Sequence, residues 1–124
     1  MEAEFAKDKN ILLAEDEPDV RQAVELLLGL DGHRITQAAN GAEALAAFAP
    51  GKFDLVITDL RMPVMCGDEL ARRIKSIDPK QPVMMLTAYA EEIRESKAPI
   101  DLIVDKPVRL ADLRRAICQV LAHN

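Results

Sequence analysis

The chain has 124 residues and a formal net charge of -5, with 49% hydrophobic and 30% charged residues. These values fit one domain with an ordinary core, and they exclude a basic nucleic-acid-binding surface, which neutralises phosphates with clustered Lys and Arg. No apolar stretch approaches the roughly 20 residues of a membrane span, and the polar, acidic start is unlike a secretory signal. We therefore expect a cytoplasmic protein without membrane contact. Residues 1–9 are predicted to form a flexible lead-in, and residues 10–122 a single domain.

Short apolar segments alternate with helical patterns along the whole chain. In chain order the predicted strands and helices are 9–14 and 18–30, 33–39 and 40–49, 53–60 and 68–77, 82–88 and 90–97, then a strand within 99–107 and a helix over 109–122. The strands are almost continuously apolar, which is typical of a parallel sheet buried on both faces. Right-handed crossovers would then place helices on both sides of this sheet, giving an α/β fold.

Several local sequence signals indicate where the predicted helices begin and end and which residues face the core. Pro18 suits the first turn of the first helix, and Gly29 marks its end. Asn40 followed by Glu43 is a capping-box pattern for the second helix. The residues expected to face the core in the third and fifth helices are Leu70, Ile74, Ile77, Leu113, Ile117, Val120 and Leu121.

Polar residues with reactive side chains lie at the ends of four of the predicted strands. They are Glu15 and Asp16 at the end of the first strand, Asp59 at that of the third, Thr87 at that of the fourth and Lys106 at that of the fifth. In an open parallel sheet, functional residues gather at the carboxyl ends of the strands. We therefore expect these five side chains to converge at one edge, although each alone would be an ordinary turn or surface residue.

The convergence of Glu15, Asp16 and Asp59 predicts a cation site, because three close carboxylates cannot all stay ionised without a counter-charge. Oxygen ligands without His or Cys favour Mg²⁺, which is usually held by one or two carboxylates together with phosphate oxygens. Lys106 could hold a phosphoryl oxygen, and Thr87 offers a hydroxyl. A carboxylate such as Asp59 can itself be the nucleophile and form an aspartyl-phosphate.

Four sequence motifs together resemble the receiver domain of two-component response regulators. They are LLAEDE at the first strand end, DLVITDLRMP around Asp59, MLTAY at Thr87 and VDKP at Lys106. The resemblance covers nearly the whole chain, from about Asn10 to Leu121. It implies a flavodoxin-like (βα)5 sandwich with a five-stranded parallel sheet in the order 2-1-3-4-5. It also implies a signalling domain that assists its own phosphorylation and dephosphorylation, rather than an enzyme.

The resemblance assigns roles to these residues. Asp59 would accept a phosphoryl group from the phosphohistidine of a sensor histidine kinase or a histidine phosphotransfer protein. The implied Mg²⁺ ligands are Glu15, Asp16, Asp59 and the backbone carbonyl of Arg61. Lys106 would hold the phosphoryl oxygens, and Thr87 would move towards them and switch the face around the fourth helix and fifth strand. An output domain or a downstream protein would respond to that switch, and this domain would not bind nucleic acid itself.

The sequence departs from the family pattern at several positions. Glu15 replaces the first of the usual paired Asp residues, and Cys66 stands where an acid is usual, in MPVMCG. The segment SKAPID is about three residues shorter than usual, and Ile103 occupies the place of the aromatic partner of the Thr switch. Tyr89 either replaces that aromatic or covers the site and tunes hydrolysis together with Arg61. The two interpretations stay open.

Three other functions are weighed against this one. A haloacid-dehalogenase-type phosphatase would carry a DxDxT pattern that begins with the nucleophilic Asp. Arg61 stands two residues after Asp59, so the second acid of that pattern is absent. A flavodoxin-like cofactor binder needs a Ser/Thr/Gly-rich phosphate loop, whereas EDEPDV follows the first strand. A degenerate receiver that acts as a phosphorylation-independent interaction module is the remaining alternative. Cys66 and Cys118 have neither CxxC spacing nor a nearby His, so we expect thiols rather than a disulfide or a zinc site.

Overall fold

The computed structural model describes residues 5–122, in which five strands alternate with five helices as predicted. The strands are β1 Asn10–Ala14, β2 Arg34–Ala38, β3 Leu55–Thr58, β4 Val83–Thr87 and β5 Leu102–Asp105. The helices are α1 Pro18–Gly29, α2 Gly41–Ala47, α3 Gly67–Ile77, α4 Ala90–Ser96 and α5 Leu110–Ala122. No helix of this described part is long and apolar enough to cross a membrane.

All neighbouring strands pair in parallel, in the order β2-β1-β3-β4-β5, which confirms the predicted fold class. The last residue of β1, Ala14, is level with Ala38 on one side and with Thr58 on the other. On the far side of the sheet, Thr87 of β4 is level with Asp105 of β5. Strands β1, β2 and β3 therefore end at one level, and β4 and β5 end together two residues further on, since Thr58 is level with Met85. The residues that follow the strands start from a common edge of the sheet.

Two apolar layers cover the faces of the sheet. Ile11 and Leu13 pack towards α1 and α5, and Leu12 and Ala14 pack towards α2 and α3. This alternation follows from the two-residue period of a strand. A third and smaller cluster joins Leu60, Met85 and Ile93 beside α4.

The predicted helix signals are confirmed with one exception. Asn40 accepts a hydrogen bond from the backbone N–H of Glu43 at 2.8 Å, and the Glu43 carboxylate accepts the N–H of Ala39 at 3.0 Å. The prediction that Ile77 faces the core is wrong, because its exposed fraction is 52%. Ile77 is the last residue of α3, where the chain turns away after the N–H of Asp78 bonds back to the carbonyl of Ile74.

The segment before β1 contacts the domain at the amino ends of the strands. The Asp8 N–H donates to the carbonyl of Asp31 at 3.1 Å, and the Lys9 N–H donates to Nδ1 of His33 at 3.0 Å. The Arg114 guanidinium lies 4.2 Å from the centre of the Phe5 ring. Residues 1–4 of the predicted lead-in lie outside the described residues, so the division at residue 10 stays a prediction.

Candidate functional site

Three carboxylates meet where β1 and β3 end. The N–H of Glu15 donates to the carbonyl of Ala38, and the N–H of Asp59 donates to that of Ala14, both at 3.0 Å. These bonds extend the sheet by one residue beyond each strand. One carboxylate oxygen from each of Glu15, Asp16 and Asp59 lies within 4.8 Å of the others.

Lys106 brings a positive charge to these acids. Its backbone N–H donates to the carbonyl of Thr87 at 3.0 Å, which continues the β4–β5 pairing. Its ammonium Nζ donates to Glu15 Oε1 at 2.7 Å and to Asp59 Oδ2 at 3.0 Å. The structure thus brings together four of the five reactive residues that follow the strands, although 91 positions separate Glu15 from Lys106.

Negative charges outnumber positive ones in this cluster. Burial raises the pKa of Glu15, and the Asp59 charge adds to this, while the hydrogen bonds from Lys106 and the Glu17 N–H oppose it. Burial lowers the pKa of Lys106, but its bonds to Glu15 and Asp59 outweigh burial, and the net shift is upward. Lys106 thus pairs with two of the three clustered carboxylates, and the remaining negative charge favours binding of a further cation.

The carboxylate of Asp59 is held from two sides. The backbone N–H of Leu60 donates to Oδ1 at 2.7 Å, while Lys106 occupies Oδ2. Gly67, the first residue of α3, lies directly against the backbone of Asp59, and a side chain there would collide with the Asp59 carbonyl. The glycine therefore lets α3 begin close to the carboxylate.

The donor set fits Mg²⁺. All the clustered ligand atoms are carboxylate oxygens, which hard divalent cations prefer. Asp16 is half-buried and lines an open cavity of about 560 Å³, so water and phosphate oxygens can complete the coordination. The other residues that line this cavity are Arg61, Met62, Pro63, Cys66 and Glu92. The predicted backbone carbonyl ligand of Arg61 stays a prediction.

Thr87 lies at the end of β4, but its hydroxyl is directed to its own loop. The side chain is fully buried, and Oγ1 accepts the N–H of Tyr89 at 3.0 Å. Ile103, which is level with Met85 on the neighbouring strand, packs against the small apolar cluster beside α4. These two residues connect the end of β4 to the packing beneath α4.

Arg61 and Tyr89 lie together at the rim of the cavity. The Arg61 guanidinium is 4.0 Å from the centre of the Tyr89 ring, within the range of a cation–π interaction. Its Nη2 also pairs with Glu92 Oε2 at 2.7 Å, and that hydrogen bond raises the pKa of Arg61. The three exposed side chains connect the β3–α3 loop with the first turn of α4.

Sequence reasoning missed Glu92 and Arg21. Glu92 is one of several charges in AEEIRESK, and no spacing distinguishes it from its neighbours. Arg21 lies on α1 and donates to the backbone carbonyl of Glu15 at 2.7 Å. The only signal for this contact was the position of Arg21 one turn into the helix that follows the acids.

The profile of the response regulator receiver domain matches residues 11–118 of this chain. The chain belongs to the response-regulator receiver family. This confirms the predicted family. A receiver domain is a signalling domain, and the acid cluster lies at the carboxyl ends of its strands.

Curated relatives of this receiver include proteins of its own length and longer ones. It is 40% identical over 116 residues to the response regulator receiver protein CpdR of Brucella abortus, covering 91% of this chain and 97% of that protein. It is 36% identical to the response regulator protein PilR of Pseudomonas aeruginosa, covering 89% of this chain but 25% of PilR. The chain thus spans about a quarter of the length of PilR.

Solved receiver structures share the fold and include magnesium complexes. The response regulator TrrA of Thermotoga maritima, in complex with Mg²⁺-BeF, is 34% identical, with a TM-score of 0.85 over 91% of this chain and 99% of that one. The receiver domain of the sensor histidine kinase PA1611 of Pseudomonas aeruginosa, with a magnesium ion in its active-site cleft, is 29% identical, with a TM-score of 0.87 over 93% of this chain and 98% of that one.

Proposed function

We propose that this receiver accepts a phosphoryl group on Asp59 in a phosphorelay that depends on Mg²⁺. One observation carries the proposal. The Asp59 carboxylate lies within 4.8 Å of two further carboxylates, and its Oδ2 lies 3.0 Å from the Lys106 ammonium. A nucleophilic carboxylate, a cation site and a phosphate-binding lysine are the parts that phosphoryl transfer requires.

The proposed reaction moves the phosphoryl group from nitrogen to oxygen. The phosphorus–nitrogen bond of a phosphohistidine breaks as an oxygen of Asp59 forms a bond to phosphorus, and the imidazole keeps the electron pair. Lys106 stabilises the negative charge of the transferred oxygens, which requires its Nζ to exchange the 2.7 Å bond to Glu15 for one to the phosphoryl group. Water later attacks phosphorus, releasing phosphate and restoring the Asp59 carboxylate.

Glu15, Asp16 and Asp59 would hold Mg²⁺, with the carbonyl of Arg61 as a further ligand. When bound, Mg²⁺ supplies positive charge that screens the carboxylates from the incoming phosphoryl oxygens. Glu15 is also fixed by the Glu17 N–H, which donates to its Oε2 at 3.2 Å, so its carboxylate is oriented before the cation arrives.

Phosphorylation would bias a switch at the end of β4. The Thr87 hydroxyl would donate to a phosphoryl oxygen and release the Tyr89 N–H whose hydrogen bond it accepts, and the β4–α4 loop would move with it. Tyr89 would take its bound Arg61 along, and that motion would change the face around α4 and β5. A sensor histidine kinase or a histidine phosphotransfer protein would donate the phosphoryl group, and an output domain or a downstream protein would respond to the changed face.

Intact mass tests the proposal directly. The chain is incubated with Mg²⁺ and acetyl phosphate, alongside the Asp59→Asn variant and a sample with chelator. We expect one added phosphoryl group in the wild type and none in the variant or with chelator. A wild type that neither gains mass nor binds beryllofluoride would reject the proposal and favour the alternative, a phosphorylation-independent interaction module.

A further inference from the structure

Arg21 connects the acidic turn after β1 to the rest of the sheet. Its Nη1 donates to the backbone carbonyl of Glu15 at 2.7 Å, and its Nε donates to the side-chain carbonyl of Gln37 at 3.0 Å. Its own backbone N–H donates to the carbonyl of Glu17 at 2.9 Å. One residue of α1 therefore contacts both the turn that carries the acids and the neighbouring strand β2.

The Glu15 carbonyl depends on this contact. Glu15 is 3% exposed, and its N–H already extends the sheet through the carbonyl of Ala38. The chain leaves the sheet at this residue, so the carbonyl has passed the end of the strand ladder, and the Arg21 guanidinium supplies its donor. A buried polar group left without its donor destabilises the conformation that contains it, so loss of Arg21 would release the turn.

The position of this carbonyl matters for the cation site. The peptide that contains it joins Glu15 to Asp16, so its orientation sets where both side chains start. With three carboxylates within 4.8 Å of one another, repulsion favours a turn that moves apart. The planar guanidinium of Arg21 bonds the Glu15 carbonyl and the Gln37 side chain at once, and it resists that movement. A lysine at this position would provide only a point charge on a flexible stem.

We propose that Arg21 is a positioning residue for the cation site, holding the Glu15–Asp16 turn in the geometry that binds Mg²⁺. This inference rests on the proposed function, and it adds a residue that touches neither the cation nor the phosphoryl group. Partners in the outer shell of a metal site commonly change affinity about 10- to 100-fold when they are removed.

The chain offers a matched control in Arg34. Its Nε donates to Asn10 Oδ1 at 2.8 Å and its Nη2 to the carbonyl of Asp8 at 3.3 Å. Arg34 thus also joins a side chain to a backbone carbonyl, but it lies at the opposite end of β2. Loss of either arginine removes one side-chain and one backbone contact, and only Arg21 lies beside the acids.

The experiment is a titration of the full chain with MgCl₂ followed by backbone amide chemical shifts. We expect the dissociation constant for Mg²⁺ to rise about 10-fold in Arg21→Met and to stay near the wild-type value in Arg34→Met. In chelator, the Glu17 N–H should exchange with solvent faster in Arg21→Met only. The Tm of both variants shows whether their loss of stability is comparable.

Two more variants separate the possible causes. Gln37→Ala changes an exposed strand position and should weaken Mg²⁺ binding in the same direction but less, so the test survives if Arg21→Met does not fold. Arg21→Lys keeps the charge and should retain the binding defect. Loss of a positive charge beside the acids would by itself strengthen cation binding, so a weaker site in Arg21→Met cannot come from charge. Wild-type affinity in Arg21→Lys would mean that the two-point contact of the guanidinium is not needed, and it would overturn the positioning role.

The outcomes for Arg21 and for the proposed function are distinguishable. If the wild type binds no Mg²⁺ and gains no mass with acetyl phosphate, the proposed function itself fails. If the wild type does both and Arg21→Met binds Mg²⁺ equally well, only the role of Arg21 is overturned. The expected result is a weaker site in Arg21→Met whose phosphorylation recovers at saturating MgCl₂.

Discussion

At each end of the sheet a buried carboxylate lies beside a positively charged side chain, but the ratio of negative to positive groups differs between the two ends. At the amino end, the Arg114 guanidinium binds both oxygens of Asp31, at 2.7 and 2.9 Å, and this hydrogen bonding lowers the pKa of Asp31 despite its burial. At the carboxyl end, three carboxylates lie together, Lys106 bonds to two of them, Glu15 and Asp59, and the pKa of Glu15 is raised.

This difference separates a structural ion pair from a ligand site. A one-to-one pair with two hydrogen bonds leaves little charge to attract a third group. Three acids around one lysine leave an excess of negative charge that a divalent cation can relieve. Substitutions at the amino end should therefore change stability, and those at the carboxyl end should change ligand binding.

Lys106→Met should have the largest effect at the carboxyl end. We expect the rate of phosphorylation by acetyl phosphate to fall by about 100-fold or more, because a donor to the developing charge is lost. The measurement is the initial rate of mass gain at saturating Mg²⁺.

Lys75→Met is the matched control for this change. Lys75 is similarly buried, with 16% side-chain exposure against 20% for Lys106, and its Nζ also bridges two acceptors, Asp101 and the carbonyl of Gln81. The Lys75→Met variant should be less stable than the wild type but should be phosphorylated at the wild-type rate. Equal losses of rate in the two variants would contradict a local role for Lys106.

Asp31→Asn should have the largest effect at the amino end. Removing the Asp31 charge leaves Arg114 without its partner, and since Arg114 keeps 34% side-chain exposure, water offsets part of the resulting loss of stability. Thermal unfolding should show the Tm falling by roughly 5–10 °C. The exposed pair of Asp112 with Arg115 on the same helix is the control, and Asp112→Asn should change little.

The same variant gives a pH test with a defined sign. The pKa of Asp31 is lowered in the folded protein, so its stabilisation is complete above the unfolded pKa and is lost as pH falls through the folded value. The Tm difference between wild type and Asp31→Asn should be constant near neutral pH and shrink below about pH 4. A difference that shrinks near pH 6 would assign the effect to another group.

Asp16→Asn should have the opposite sign to Asp31→Asn. In chelator, removing one of three mutually repelling charges should raise stability by about 1 kcal/mol, seen as a higher Tm. In Mg²⁺ the wild type should gain more stability than the variant, reversing their order. Asp19→Asn, in the first turn of α1 but outside the cluster, should lower Tm slightly instead. A lower Tm for Asp16→Asn in chelator would contradict the repulsion.

The carboxyl end was largely predictable from the sequence, because its residues follow directly from strand ends. An apolar run ending in a reactive residue locates that residue within one position of the sheet edge, and a parallel sheet places all such edges together. Glu15, Asp59 and Lys106 are examples. The prediction that Ile77 faces the core was wrong, because helical periodicity indicates which face is apolar but not where along the helix burial ends.

The amino end and the cavity rim could not be predicted in the same way. Asp31 and Arg114 are 83 positions apart, and neither follows an apolar strand. The contact of Arg61 with Tyr89 and Glu92 depends on how α4 sits beside the β3–α3 loop and on the rotamers of exposed side chains. Neither quantity has a sequence period, so the sequence indicated Arg61 and Tyr89 as tuning residues, but only the structure reveals their contact with each other and with Glu92.

The smallest predicted effect belongs to this rim. Glu92 fixes Arg61 over the open cavity that reaches Asp16, so Glu92→Gln should free Arg61 and admit water to a phosphorylated Asp59. We expect a shorter lifetime of the aspartyl-phosphate, by roughly two- to threefold, with the Tm almost unchanged because the pair is exposed. Loss of the added mass after removal of the phosphodonor measures the lifetime.

Glu91→Gln is the control for this change, because Glu91 lies in the same turn of α4 but pairs with Arg94 at 2.9 Å instead of Arg61. It should leave the lifetime at the wild-type value. If both variants shorten the lifetime equally, the cause is the charge of α4 and not the position of Arg61. If Glu92→Gln alone does so, the rim adjusts how long the signal lasts while Lys106 and the acids determine whether it forms.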